Sequence, residues 1–389
     1  MATVTAHIYP DRPIGRVAPE FHGHFVEQLF DCVNDGLFDR ATGAFRPYFV
    51  EKAAALGLEL IRWPGGCFAD AYHWRNGIGP QNQRPRTVTN RWGVDEIETH
   101  HVGSHEFLEF CRLTGARPWI NLNVATGSPR EAAEWFEYLT LAEGSDLAEL
   151  RAKNGRPDAF TIDLWGIGNE CWDCGGKFTP TEYAHAYRRF ESAIPRLRGV
   201  PRHFVIGGPD GNKSHERENW TRETLARLHE WRKPAAYALD LHFYTWGEES
   251  LTGRAAVFDA AQFTALLARG LELEPVLIRQ REIIDEFDPE LKLMVGEWGP
   301  WHPDANGNRF FQPVTGRDAV LAAATLDMFH RHANKLAACT YTMLCNVLGA
   351  PFQTRGGEPY VTPVYHVFAL HRGHRGGMSL ACEVAGDPL

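Results

Sequence analysis

Two glutamates stand out in this 389-residue sequence for where they fall. Glu170 closes the run TIDLWGIGNE (161–170), and Glu297 lies near the end of KLMVGEWG (292–299). Both runs are apolar and of buried-strand type. Two carboxylates facing one cavity suit glycoside hydrolysis, in which one gives a proton to the leaving oxygen and the other acts as nucleophile or as base for a water. A separation of about 5–5.5 Å leads to retention and a wider gap to inversion. The two must differ in pKa, one raised and one ordinary, and their neighbours arrange this. Asn169, just before the first glutamate, is placed to hydrogen-bond a sugar hydroxyl, and Trp298, just after the second, to wall the site. Cys171 and Cys174 offer a rival chemistry. A structural zinc site wants four ligands, usually from two such pairs, and there is no second C-x-x-C. A redox C-x-x-C opens a helix, whereas Gly175-Gly176 follows here. The two cysteines therefore read as loop residues, and no metal site is assigned.

The elements that must position these residues repeat in pattern. Strand-like runs at 20–28, 58–66, 117–125, 161–170, 203–211, 237–245, 292–299 and 338–346 are separated by amphipathic helical runs. The helical runs are 45–57, 104–115 with Ser104 as cap, 129–142, 180–197, 221–232 and 317–333. Nearly continuous apolar strands are those of a parallel sheet covered on both faces. Eight β/α units predict an α/β protein with a (β/α)8 TIM barrel, the runner-up being a doubly wound sheet, whose G-x-G-x-x-G fingerprint is absent. Long insertions at about 67–103 and 246–291 follow strand C-terminal ends, where a barrel builds its site. The ends of the chain stand apart. ATVTAHIY (2–9) and MSLACEV (378–384) read as strands of a second domain. The expected division is 1–17 as the N-terminal strand of a β-sandwich, 18–376 as the catalytic barrel, and 377–389 as the start of a truncated sandwich.

The net charge of −9 is spread along the chain with no basic stripe, which argues against nucleic acid as a partner. No apolar run approaches the roughly 20 residues needed to span a membrane. The first residues, MATVTAHIYPDRPIG, do not have the form of a secretory signal, and the eight cysteines follow no framework spacing. Reduced thiols in a cytoplasmic enzyme are the expectation. Tryptophans and tyrosines in polar, glycine-rich segments such as AYHWRNGIGP and NRWG suit sugar rings.

GNE at the end of the fourth strand and EW at the end of the seventh resemble the large superfamily of barrel glycosidases. More narrowly, HGHFVEQ, LELIRWPGGCFADAYHWRNGIGP, RPRTVTNRWG, SHEF, WGIGNECWDCGG, LHFYT, GEWGPW and TPVYHVF, in that order, closely resemble glycoside hydrolase family 51, mostly intracellular α-L-arabinofuranosidases. The resemblance implies a retaining, exo-acting enzyme without metal or organic cofactor, acting on furanoside oligosaccharides, and a homo-oligomer. It implies Glu170 as acid/base, Glu297 as nucleophile and Asn169 on the sugar 2-hydroxyl. Glu27 and Cys67 would line the sugar pocket, Tyr244 would sit near the nucleophile, and Trp92 would stack near the leaving group. Arg62 and His242 would support the site from behind. His242 and Tyr244 alternate with Phe243, so the first two point inward.

Three positions depart from the family pattern. Gly296 stands where an Asp usually precedes the nucleophile, and Cys171 follows the acid/base where Asn or Met is more usual. Asn346-Val347-Leu348-Gly349-Ala350 lacks the glutamine that normally holds the sugar's exocyclic hydroxyl. Gly349 would leave space there, so a β-D-galactofuranosidase is the alternative substrate reading; Gln353, four residues on, counts against it as a replacement for the lost glutamine. An endo-glucanase or xylosidase on a similar barrel and a non-catalytic sugar-binding relic are the others. An open groove would favour endo action and a blind pocket exo action.

Overall fold

A computed structural model describes residues 4–89, 96–162, 164–303 and 310–386. Eight parallel strands close into a barrel: Gly23–Phe25, Leu60–Trp63, Arg117–Leu122, Leu164–Ile167, His203–Ile206, Ala238–Trp246, Lys292–Trp301 and Leu336–Tyr341. Each pairs with the next in sequence, and the eighth pairs with the first. The expected helices are present as Pro47–Leu56, Ser104–Thr114, Pro129–Thr140, Pro180–Ala193, Ser214–His229 and Gly316–Arg331. Two differ in detail. The cap of the second is Gly103, whose N–H donates to the Glu106 carboxylate, and the fifth starts seven residues earlier than its periodicity suggests.

One layer of side chains plugs the lower half of the barrel. Leu60, Trp119, Leu164, Val205, Ala238, Met294 and Ala338 come from seven successive strands and pack together. The barrel is thus a filled core with a mouth only at its C-terminal face.

The sixth and seventh strands are the longest, and their pairing slips at one point: Leu241 faces Val295, but His242 faces Glu297. Gly296 is the extra residue of this bulge, a device that re-aims side chains near functional sites. Above it, Glu297 and Trp301 face the barrel mouth while Trp298 packs against Phe329 and Phe368.

The first insertion starts at that mouth, where Cys67 lines the cavity, and the last helix of the second packs on Ser214–His229. The first carries short 3-10 turns, beginning with Cys67–Ala71, and the second the helices Glu249–Thr252, Ala260–Leu271 and Leu273–Phe287. The chain ends meet outside the barrel as a two-stranded antiparallel ribbon, Val4–Arg16 with Met378–Gly386. Val4, Ile8 and Val384 leave one face of this ribbon apolar and exposed.

Candidate active site

A cavity of about 820 Å3 opens at the barrel mouth, and Glu170, Glu297, His242, Tyr244, Glu27 and Cys67 all line it. Strand ends bring them together. Glu27 follows the first strand, Cys67 the second and Glu170 the fourth, while His242, Tyr244 and Glu297 lie on the sixth and seventh. Glu170 sits in the turn after its strand at φ +37°, a left-handed conformation that costs energy for any residue but glycine. That turn is closed by bonds from the Asp173 N–H (2.8 Å) and the Gly175 N–H (3.1 Å) to the Glu170 carbonyl.

The imidazole of His242 bridges the carboxylates. Its Nδ1 lies 2.9 Å from Glu170 Oε1 and 3.5 Å from Glu297 Oε1, and its Nε2 lies 3.0 Å from Asp240 Oδ2. Burial works against a charge on this ring, but Glu297, Asp240 and Glu170 outweigh it and push its pKa up to about 10. His242 is therefore an imidazolium at neutral pH. One oxygen each of Glu170 and Glu297 lies within 4.8 Å of the other and of His242.

The two glutamates are driven apart in proton affinity. Burial raises Glu170, with only partial relief from His242. Burial would raise Glu297 too, but the charges of His242 and Arg62, with hydrogen bonds from Tyr244 and Arg62, hold it below the ordinary carboxylate range. Arg62 Nη1 donates to Glu297 Oε1 at 2.7 Å, and Tyr244 Oη donates to Oε2. The Arg62 guanidinium is fully buried, lies 4.9 Å from the centre of the Phe25 ring and 5.2 Å from that of Trp119, and also donates to Asn169 Oδ1. Glu27 is pushed up to about 8, first by burial and then by the charge of Glu297. Its Oε1 accepts from the Phe68 N–H at 2.8 Å.

Other expected residues lie elsewhere. Asn169 is buried behind the wall, tied to Arg62, with Nδ2 3.5 Å from Asp70 Oδ2 and 3.7 Å from Cys174 Sγ. Trp298 does not wall the cavity. It packs edge-on against Phe329 and Tyr341, because a residue next to an inward Glu297 must point outward. Trp301, four residues after Glu297 and in phase with it, takes that place and stacks on Trp246 at 4.4 Å between centroids. The same alternation, counted onward from His242 and Glu297, points to both tryptophans. Trp92 lies outside the described residues.

The cysteines differ from expectation. Cys67 and Cys174 form a disulfide, with Cα atoms 5.5 Å apart. Their sequence separation of 107 gave no hint of this; only the docking of the loops after the second and fourth strands brings them together. Cys171 is a buried free thiol.

The departures at Gly296 and Gly349 also have structural explanations. A Cβ at Gly296 would come within 2.3 Å of Asp240 Oδ2. The space a side chain at 296 would need is filled by the carboxylate of Asp240 from the neighbouring strand, a residue the sequence analysis did not single out, which accepts from the Gly296 N–H and from His242. Gly349 does not open the sugar pocket: a Cβ there would meet Tyr341 Oη at 2.4 Å and Pro300 Cγ at 3.0 Å, behind the cavity wall. Leu348 lines the cavity instead, while Gln353 is buried in a short strand pairing with Tyr360.

The alpha-L-arabinofuranosidase 1 domain model matches residues 52–262, and the alpha-L-arabinofuranosidase C-terminal domain model matches residues 296–388. An intracellular exo-alpha-L-arabinofuranosidase of Bacteroides ovatus is 34% identical over 98% of this chain and 75% of its own. The crystal structure of the GH51 arabinofuranosidase from Xanthomonas axonopodis pv. citri superimposes with a TM-score of 0.92 at 30% identity, covering 100% of this chain and 79% of that one. The chain belongs to the GH51 α-L-arabinofuranosidase family. It is thus a glycoside hydrolase, and the galactofuranosidase, endo-glucanase and sugar-binding readings are not favoured. A second member of known structure, the alpha-L-arabinofuranosidase from Thermotoga maritima in its arabinose complex, aligns with a TM-score of 0.85 at 25% identity over 98% of this chain and 76% of that one. Among the described residues no helix is long and apolar enough to cross a membrane.

Proposed function

We propose that this protein removes terminal non-reducing α-L-arabinofuranosyl residues by double displacement, with Glu297 as nucleophile and Glu170 as acid/base. The observation that carries this reading is the pair of carboxylates with an oxygen of each within 4.8 Å of the other, burial raising the proton affinity of Glu170 while His242, Arg62 and Tyr244 lower that of Glu297. That spacing leaves no room for the water an inverting enzyme places between its carboxylates. Glu297 attacks the anomeric carbon while Glu170 gives its proton to the leaving oxygen. The leaving group departs, and an ester joins the sugar to Glu297. Glu170, now ionised, takes a proton from water, which opens the ester with a second inversion.

His242 Nδ1–H donates to Glu170 Oε1, so the acidic proton of Glu170 belongs on Oε2. Arg62 and Tyr244 hold Glu297 ionised and oriented. Glu27, neutral up to about pH 8, donates a hydrogen bond to a sugar hydroxyl, and Cys67 packs beside it. Asn169, buried behind the wall, accepts from Arg62 and so supports the group that holds Glu297. Trp246 and Trp301 form an aromatic ledge at the rim for the leaving group. Exo action is supported by the relative named as an exo-alpha-L-arabinofuranosidase.

A cytoplasmic location is supported by the relative named as intracellular. The paired terminal strands support reading 1–17 and 377–389 as strands of a β-sandwich separate from the barrel, and their exposed apolar face suits a homo-oligomer. The decisive experiment is Glu170→Ala on nitrophenyl α-L-arabinofuranoside with added azide. Restored turnover giving an azide with the substrate's own anomeric configuration supports the assignment; full activity without azide or Glu170 overturns it.

A further inference from the structure

The Cys67–Cys174 disulfide joins two loops that the catalytic reading needs in register. Cys67 opens the turn Cys67–Ala71, whose Phe68 N–H binds Glu27 and whose Asp70 meets Asn169. Cys174 lies in the turn that carries Glu170 at its unfavourable φ. Both sulfurs lie against the same carboxylate oxygen, Glu170 Oε2, at 3.9 and 3.6 Å. The other oxygen is taken by His242.

A disulfide sulfur has no proton to give. Against Oε2 the pair is an apolar wall, which disfavours the anion and keeps the proton on Glu170. Two thiols at the same place would be donors aimed at Oε2 and would favour the anion. They would also release the tether between the loops. Both cysteines line the open cavity, so a small thiol reagent reaches them without unfolding the chain.

We propose that Cys67 and Cys174 form a thiol–disulfide site through which redox state sets the proton affinity and position of Glu170, the disulfide form being the active one. The reaction is exchange with a dithiol. A thiolate of the reductant attacks one sulfur, the Cys67–Cys174 bond breaks, and a mixed disulfide forms. The reductant's second thiolate then closes its own disulfide and leaves both protein sulfurs as thiols, two electrons and two protons having moved to the protein. In a reducing compartment this couples turnover to the dithiol pool. The cysteines act through Glu170 and are positioning residues. The inference rests on Glu170 as the acid/base, which the azide experiment tests independently.

The test uses the purified full chain before and after dithiothreitol, with thiols counted in denaturant and the melting curve recorded to show that the chain stays folded. The expected count rises from six to eight. Turnover is then compared on two arabinofuranosides, a methyl glycoside that needs the acid and a dinitrophenyl glycoside that does not. Reduction should cost about tenfold or more in kcat on the methyl glycoside, leave the dinitrophenyl glycosylation step nearly unchanged, and move the alkaline limb of the methyl-glycoside pH profile to lower pH. Cys174→Ser should behave like the reduced enzyme and ignore dithiothreitol. The proposal is overturned if the reduced enzyme or Cys174→Ser keeps the rate and pH profile of the oxidised one. It is also overturned if both substrates lose activity equally, or if all eight thiols are free at the outset and oxidation by diamide changes nothing.

Discussion

Replacing Asp240 by Asn removes one negative charge from behind the catalytic pair and nothing from the cavity itself. Both oxygens of Asp240 are engaged: Oδ1 accepts from the Gly296 N–H at 2.6 Å, and Oδ2 from His242 Nε2 at 3.0 Å. An amide has one oxygen, so its NH2 must face one of those two donors. Stranding a buried donor costs about 1–3 kcal/mol. The lost ion pair adds to this, since breaking a buried pair by removing one partner costs roughly 3–5 kcal/mol. His242 keeps Glu170 and Glu297 as partners, so most of the ion-pair cost is not incurred and the expected total is about 2–3 kcal/mol. Expressed in the transition state, that is a loss of roughly 30- to 150-fold. The sign on pH follows from the charges. Without Asp240 the imidazole titrates at lower pH but, still facing Glu170 and Glu297, stays an imidazolium through the acid limb; Glu297, with one negative charge fewer nearby, ionises more readily, and the acid limb of activity moves down. The assay is kcat/KM against pH on a dinitrophenyl arabinofuranoside, which reports the nucleophile rather than the acid. A variant within threefold of the parent, with its acid limb unmoved, would refute the bridge of charge from Asp240 through His242 to Glu297.

Glu27→Gln preserves the acceptor for Phe68 and imitates the neutral acid, so it should retain more turnover than Glu27→Ala, as paired kcat/KM measurements would show. It should also flatten the pH dependence of stability. Below the ordinary carboxylate value both folded and unfolded chains hold the proton; above it the unfolded chain releases it first, so the parent loses roughly 1.4 kcal/mol per pH unit until about pH 8. Melting curves at about pH 5 and pH 8 check this, and an equal slope in both proteins would count against a neutral Glu27. Arg62→Ala strands Glu297 as a buried charge and should lower stability by about 3–5 kcal/mol, measurable by denaturant unfolding. Trp246→Ala should raise KM for oligosaccharides more than for a nitrophenyl glycoside, and equal changes would remove the ledge from the leaving-group path.

The sequence made the barrel legible because its strands are continuous apolar runs that only a doubly covered sheet buries. Glu170 and Glu297 were legible because both close such runs. What stayed hidden depended on contacts far apart in sequence. Nothing local marks Cys67 and Cys174 as partners, and the cavity sees Leu348 rather than Gly349 because of how that loop folds back on Phe310. Trp298 was misplaced for a local reason, since adjacency to a catalytic residue in a strand puts a side chain on the opposite face.

Gly296 joins these two classes of error and leads to a stricter test. On its own strand it reads as a loss, an acid missing before the nucleophile. Across the sheet it is one half of an exchange, because the space its side chain would occupy holds the Asp240 carboxylate. If position rather than parentage of the charge matters, Gly296→Asp alone should fail, its Cβ meeting Asp240 Oδ2 at 2.3 Å. Asp240→Gly alone should also fail, leaving His242 Nε2 and the Gly296 N–H without their acceptor. The double exchange should recover activity beyond the product of the two single losses, a coupling expected only of residues that share one site. Single-turnover rates on a dinitrophenyl arabinofuranoside across the four proteins measure that coupling. Simple additivity would mean that the carboxylate serves the strand pairing rather than His242, and the chain of charge argued above would break at its first link.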